Sequence, residues 1–362
     1  MRNFRASAMM ANVANGKVHG TRVDATGLAE IAAKSGVTVP TVSKVLNGRT
    51  DVAPATRARI LELLDQAGYE RKGRQAGVSP VPRMSGFVDV VTNRIGKTWA
   101  AEVLLGVHTA AAEAGCEAVV SYPDSGSIEG AWVERVIKRG SRGVVLERVD
   151  ISAEQSERLQ AARIPCVVID PSHQPPSGVV GISSNNWGGG DLAAQHLLSL
   201  GHTKIAIIDA GTDSISSRAR SDGFRSALMS AGVELRPEWI RHADWSRQGA
   251  RLEAQLLLDS ADRPTAIFAI SDRMAVGVYR AARDLGISIP DELSVIGFDA
   301  LPEVRWLIPE LTTIHQPVEE MGRTALRLLL TRIGHELPQN RLELSTTLVE
   351  RESTAAPRSD TR

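Results

Sequence analysis

Cysteine is nearly missing from this sequence: there are two in 362 residues, Cys116 and Cys166. Each lies beside an apolar, strand-like run, and no C-x-x-C or Cys/His spacing suits zinc. A disulfide framework and a zinc site are thus excluded as organising features, and the pair reads as buried thiols in a reducing compartment. A run of about 18 apolar residues is also absent, and residues 1–22 lack the continuous apolar segment of a secretion signal. No membrane span is expected, and the cytoplasm is the expected location. Catalytic signatures are missing as well. No Ser/His/Asp set sits in a nucleophile motif, and Gly188-Gly189-Gly190 matches neither G-x-G-x-x-G nor a P-loop with its lysine. Neither catalysis nor a cofactor or metal is expected.

Net charge is zero, from 42 basic and 42 acidic residues, but it is unevenly spread. Residues 1–83 hold 13 Lys/Arg against 6 Asp/Glu, an excess of +7, which leaves 29 against 36, or −7, for the rest. The basic end is where a polyanion would bind. Within it, Thr26 is placed to cap a helix carrying Leu28, Ile31 and Ala32 on one face, and Ser35-Gly36 stops it. A second helical pattern follows through Val42, Val45 and Leu46 after a turn of about three residues. This is helix-turn-helix spacing. Pro54 opens a third helix with Ile60, Leu61, Leu64 and Ala67 on its apolar stripe.

The remaining chain changes character. Residues 71–85, rich in Gly, Pro and charge, read as a linker or hinge. From Gly86, β-branched runs such as GFVDVV, PCVVID, KIAIIDA, TAIFAI and LSVIGFD alternate with amphipathic helical patterns. Such alternation implies parallel sheets covered on both faces, and its length favours two lobes over one. The expected organisation is a disordered extension at 1–22, a helix-turn-helix domain at 23–70, the linker at 71–85, a two-lobed core at 86–352 and a disordered tail at 353–362.

The wording L-A-E-I-A-A-K-S-G-V-T-x-x-T-V-S-K-V-L-N-G, from Leu28 to Gly48, resembles the amino-terminal signature of the lactose/galactose-repressor (LacI/GalR) family of transcription regulators. Blocks such as SSNNWGGG (183–190), SRARSDGF (217–224), IPDELSVIGFD (289–299) and LTTIHQP (311–317) extend the resemblance from about residue 26 to 352. It implies a small all-α helix-turn-helix headpiece and an α/β two-lobed periplasmic-binding-protein-like (type I) core. Three crossovers are expected, near Gly181–Ser183, Thr313–Val318 and Leu342–Val349. The implied partners are double-stranded operator DNA, a small effector and a second copy of the chain.

Candidate DNA contacts are Thr38, Val39, Pro40, Thr41, Ser43 and Lys44 at or near the amino end of the second helix, with Asn47 and Arg57 as phosphate contacts. By resemblance, Val39 and Pro40 hold the variable, operator-selecting positions and Lys44 the basic position that usually carries Arg. The linker departs from the family, since no Leu follows Tyr69 to wedge the minor groove; Arg71, Lys72 and Arg74 are the candidate contacts there. In the core, Asp170, Ser271 and Asp299 lie at carboxyl ends of parallel strands, where α/β folds bind ligands. Arg220, Trp99 and Trp245 complete the candidate effector set, offering a forked donor and aromatic platforms. By resemblance, these positions match family effector contacts. They favour a polyhydroxylated, sugar-like effector, with a nucleobase still open. A solute-binding protein of a sugar transport system is the alternative from another class.

Overall fold

The computed structural model describes residues 31–46, 52–66, 86–92, 95–122, 130–331 and 341–358. The chain divides into two compact units, residues 1–79 and 80–362. The expected extension at 1–22 and the linker at 71–85 lie outside the described residues.

The first unit is a helical cluster. Helix α1 is described over residues 31–35, α2 spans Val39–Leu46 and α3 spans Pro54–Gln66. Ile31 and Ala32 from α1, Val42 and Val45 from α2, and Ile60 from α3 form its buried core. The turn occupies residues 36–38. Gly36 takes the left-handed conformation there (φ 69°), and the Val37 amide donates to the Ala32 carbonyl at 3.0 Å, ending α1 and freeing the chain to reverse.

The second unit holds two six-stranded sheets. Lobe 1 contains β1 (Phe87–Thr92), β2 (Glu117–Ser121), β3 (Val144–Glu147), β4 (Cys166–Ile169), β5 (Val180–Ser184) and β11 (Arg341–Leu344), in the order β11-β5-β4-β3-β1-β2. Lobe 2 contains β6 (Ile205–Asp209), β7 (Ile240–His242), β8 (Ala266–Ala269), β9 (Ser294–Asp299), β10 (Thr312–His315) and β12 (Thr347–Val349), in the order β12-β10-β9-β8-β6-β7. Among the described strands only the β10–β12 pairing is antiparallel. The central strands are continuous apolar runs because helices cover both faces.

On one face of lobe 1, α4 (Thr98–Ala114) and α11 (Val318–Thr331) pack together through Val103, Val107, Met321, Ala325 and Leu329. The other face is covered by α5 (Gly130–Arg139) and α6 (Ala153–Ala161), with Trp132, Val136 and Leu159 buried against β3. Lobe 2 is enclosed by α7 (Asn186–Ser199), α8 (Ile215–Ser230), α9 (Arg247–Leu258) and α10 (Asp272–Asp284), around Phe224, Phe268 and Phe298. Cys116 and Cys166 are both buried and unbridged. Among the described residues no helix is long and apolar enough to cross a membrane.

The chain passes between the lobes at Asn185, at Gln316–Pro317 and at residues 345–346. The first crossing comes slightly later than expected because β5 continues through Ser184. The expected disorder from residue 353 does not hold as far as 358. Ser353 has no exposed surface: its hydroxyl donates to the Val295 carbonyl (2.6 Å) and accepts from the Thr312 amide (2.8 Å), while the Val295 amide donates to its carbonyl (2.9 Å). Buried His202 sits beneath the same segment, within hydrogen-bond distance of Ser294 Oγ, Thr265 Oγ1 and the Ala355 carbonyl. A polar segment is fixed here because it satisfies backbone groups near the amino ends of β9 and β10.

Candidate functional site

Two sites are built by these units. In the headpiece, Val42 and Val45 turn one face of α2 inward, which leaves its amino end outward. Thr38, Val39, Pro40 and Lys44 are exposed, whereas Thr41 and Ser43 on α2 and Arg57 on α3 are half-buried. The hydroxyls of Thr38 and Thr41 lie 3.0 Å apart, so these two side chains engage each other at the start of the helix. Asn47, Arg71, Lys72 and Arg74 lie outside the described residues.

The second site is a cavity of about 540 Å³ between the lobes. Lobe 1 lines it with Lys97, Trp99 and Arg148, and lobe 2 with Arg220, Trp245, Ser271 and Asp299, among others. Arg220 makes the most contacts of these side chains. It lies on α8 with 1% of its surface exposed. A Cβ at Gly190 would strike the Arg220 backbone, and one at Gly223 would strike that of Trp187. The glycines thus serve close packing of α7 on α8, not a phosphate cradle, and this packing fixes the depth of Arg220. Its Nε donates to Asn186 Oδ1 (2.7 Å) and its Nη1 to the Ile270 carbonyl (2.6 Å), with Asp299 Oδ1 further off at 3.4 Å. The guanidinium also lies over the Phe298 ring, 3.7 Å from its centroid.

These contacts close into a ring that reaches two crossovers. Gln316 Nε2 donates to Asp299 Oδ1 (2.5 Å), Ser184 Oγ donates to Gln316 Oε1 (2.7 Å), and Asn186 Nδ2 donates to the Ser184 carbonyl (3.1 Å). Asn186 then returns to Arg220. Burial pushes the Asp299 carboxyl up to about 6 against the pull of Arg220 and Gln316. Beneath it, Asp272 has no exposed surface; its oxygens accept from the Thr313 hydroxyl (2.5 Å) and the Leu301 amide (2.9 Å). Burial, and secondarily the neighbouring Asp299, raise it to about 7.

Of the candidate effector residues, Trp99, Arg220, Trp245, Ser271 and Asp299 line this cavity. Ser271 has a double part, since its hydroxyl also caps α10 by accepting from the Met274 amide (3.3 Å). Asp170 instead lines a smaller pocket with Ser183 and Asn186. Its Oδ2 lies 3.1 Å from Arg148 Nη1, close enough for an ion pair though without hydrogen-bond geometry.

Arg148 itself was missed. Its guanidinium lies 5.7 Å from the Trp99 ring centroid and 5.3 Å from that of Trp245, so it touches aromatic faces from both lobes. The available signal was its place just after β3, at the same carboxyl edge that marks Asp170 and Asp299. Backbone strain marks the region too. Of the six described non-glycine residues with positive φ, five are Arg148, Asp170, Trp245, Asp299 and Ala300. Each left-handed L-residue costs on the order of 1–2 kcal/mol, a cost characteristic of ligand sites. Among the described residues no cluster of His, Cys, Asp and Glu is suited to a metal ion.

Comparison with known proteins adds an independent line. Residues 27–72 match the family "Bacterial regulatory proteins, lacI family", and residues 194–354 match "Periplasmic binding protein-like domain". The HTH-type transcriptional regulator MalR of Streptomyces coelicolor is 32% identical over 342 residues, covering 91% of this chain and 97% of that protein. A solved transcriptional regulator CelR–cellobiose complex is 31% identical, with a TM-score of 0.65 over 90% of this chain and 99% of the other. The lac repressor dimer bound to operator and the anti-inducer ONPF is 25% identical, with a TM-score of 0.65 over 93% and 100% of the two chains.

Proposed function

Because the chain belongs to the LacI family of DNA-binding transcription regulators, we propose that it is a cytoplasmic, homodimeric repressor whose grip on an operator is set by a sugar-like effector between its lobes. The observation that carries this reading is the pairing of a helix-turn-helix unit with a cleft that presents Arg220, Asp299 and two indole faces. Two headpieces of a dimer would meet successive major-groove faces about one helical turn apart. Thr38, Val39, Pro40, Thr41, Ser43 and Lys44 would face the groove. Asn47 and Arg57 would hold phosphates, and Arg71, Lys72 and Arg74 would follow the backbone between half-sites. Val39 and Pro40 offer no bidentate hydrogen bond, so they would discriminate by apolar contact, such as with thymine methyls.

In the core, Trp99, Trp245, Arg220, Ser271 and Asp299 would contact the effector, with Asp170 holding Arg148 in place. Effector closure of the lobes changes operator affinity only insofar as the two conformations bind the effector unequally. A gel shift on DNA upstream of the chain's own coding sequence tests the whole reading. Specific, salt-sensitive retardation that a sugar relieves is the expected result; retardation that competitor DNA of any sequence abolishes equally would refute sequence-specific regulation.

A further inference from the structure

The cleft is richer in cationic groups than a neutral sugar requires. Its lining holds Lys97, Arg148, Arg220, Arg247 and Arg273 against Asp272, Asp299 and Glu303. Asp272 is turned inward to its own two donors, and Arg220 commits its Nε and Nη1 to Asn186, the Ile270 carbonyl and Asp299. Lys97, Arg247 and Arg273 are exposed, and none lies within ion-pair distance of a carboxylate among the described residues. Deeper in, two hydrogen-bond donors are buried with no acceptor: Nε1 of Trp99, a residue only 8% exposed, and Nε of Arg148. Both side chains line the cavity, and the guanidinium of one lies 5.7 Å from the ring of the other.

Buried donors without partners are rare and call for an explanation, and here both belong to side chains that line one cavity. We infer that the ligand of this cleft is a polyhydroxylated molecule bearing an anionic group, a carboxylate or a phosphate, that is received by Arg148 and Trp99. An anionic oxygen has lone pairs for both donors at once, and hydrogen bonds to a charged acceptor are about twice as strong as neutral ones. The exposed cations at the rim would draw such a ligand in, and the indole faces would hold its apolar side. This inference rests on the cleft being the effector site, as proposed above.

The test is equilibrium binding to the full-length chain by calorimetry at one ionic strength. The probes are glucose, galactose and cellobiose, each as the neutral sugar, as its carboxylated derivative and as its phosphate ester. At least one charged member is expected to bind about 10-fold or more tightly than its neutral parent, and this margin should shrink as salt is raised. Preference for the carboxylate or the phosphate identifies which anion the site takes. Trp99→Phe keeps an aromatic face but removes the orphan donor, and should weaken the charged member by about 3-fold or more beyond whatever it costs the neutral parent. Arg148→Lys keeps a counter-ion for Asp170 but removes Nε–H, and should do the same. Neutral parents binding as well as their charged derivatives would overturn the anionic inference and leave the effector reading standing. No heat and no change in operator retention from any probe would overturn both.

Discussion

Both carboxyl oxygens of Asp272 are spoken for, in a position with no exposed surface. Because burial raises its folded-state value to about 7, the folded protein keeps a proton there that the unfolded chain gives up near pH 4. The contribution to stability is therefore full below pH 4 and is lost as pH rises towards 7, with a slope of about 1.4 kcal/mol per pH unit for one proton. Asp272→Asn should flatten the melting temperature between pH 5 and about 7.5 relative to wild type, because an amide can accept from Leu301 and donate to Thr313. Asp299 retains part of the slope below its own value of about 6. Parallel melting curves for the two proteins would contradict this account. At this scale the sequence was legible where strand ends carry acids: Asp299 stands where it should. Asp170 shows the limit. A strand end fixes an edge of the sheet but not which way the side chain turns, and Asp170 turns behind Arg148.

Element by element, the alternation of apolar runs located the central strands, with β4 inside PCVVID and β9 inside LSVIGFD. Two features were not legible. Strand β7 has three residues, Ile240, Arg241 and His242, too few to show a period. The segment after residue 350 is polar in composition, and its order comes from satisfying backbone groups of β9 and β10. Ser353→Ala would leave the Thr312 amide buried without an acceptor, which should cost about 1–3 kcal/mol in urea unfolding. An unchanged midpoint would show that the segment detaches easily. The crossovers hold a second test. Gln316, just after β10, joins Asp299 in the cleft to Ser184 at the first crossing. Replacing it with Leu keeps much of the bulk but breaks that chain of contacts. We expect the effector-induced change in operator affinity to shrink at least about 5-fold while effector-free affinity stays within about 2-fold. If titrations with and without effector show equal coupling in both proteins, the ring is only structural.

Across the whole molecule, two lobes could be argued from length and alternation, but strand order could not, because pairing partners come from distant parts of the sequence. One edge strand of lobe 1 is β11, from the last part of the sequence, and a helix that packs over the same sheet is α11. A chain ending at residue 317 would hold β1 to β5 yet leave Val103, Val107 and Ala111 of α4 without their cover. Such a chain should bind a hydrophobic dye and be cut rapidly by protease between residues 87 and 170; protection equal to that of the intact chain would show that lobe 1 closes without its last pieces. Read as an order of synthesis, the same connectivity has a regulatory meaning. The headpiece leaves the ribosome first, while the lobe that helps sense the effector is finished only when some 340 residues have followed one another out. An interrupted translation product would carry the DNA reader without its control, but with the apolar face of α4 open, a surface of the kind quality-control proteases and chaperones act on. The arrangement that makes lobe 1 wait for α11 and β11 thus leaves a fragment lacking them with that apolar face uncovered.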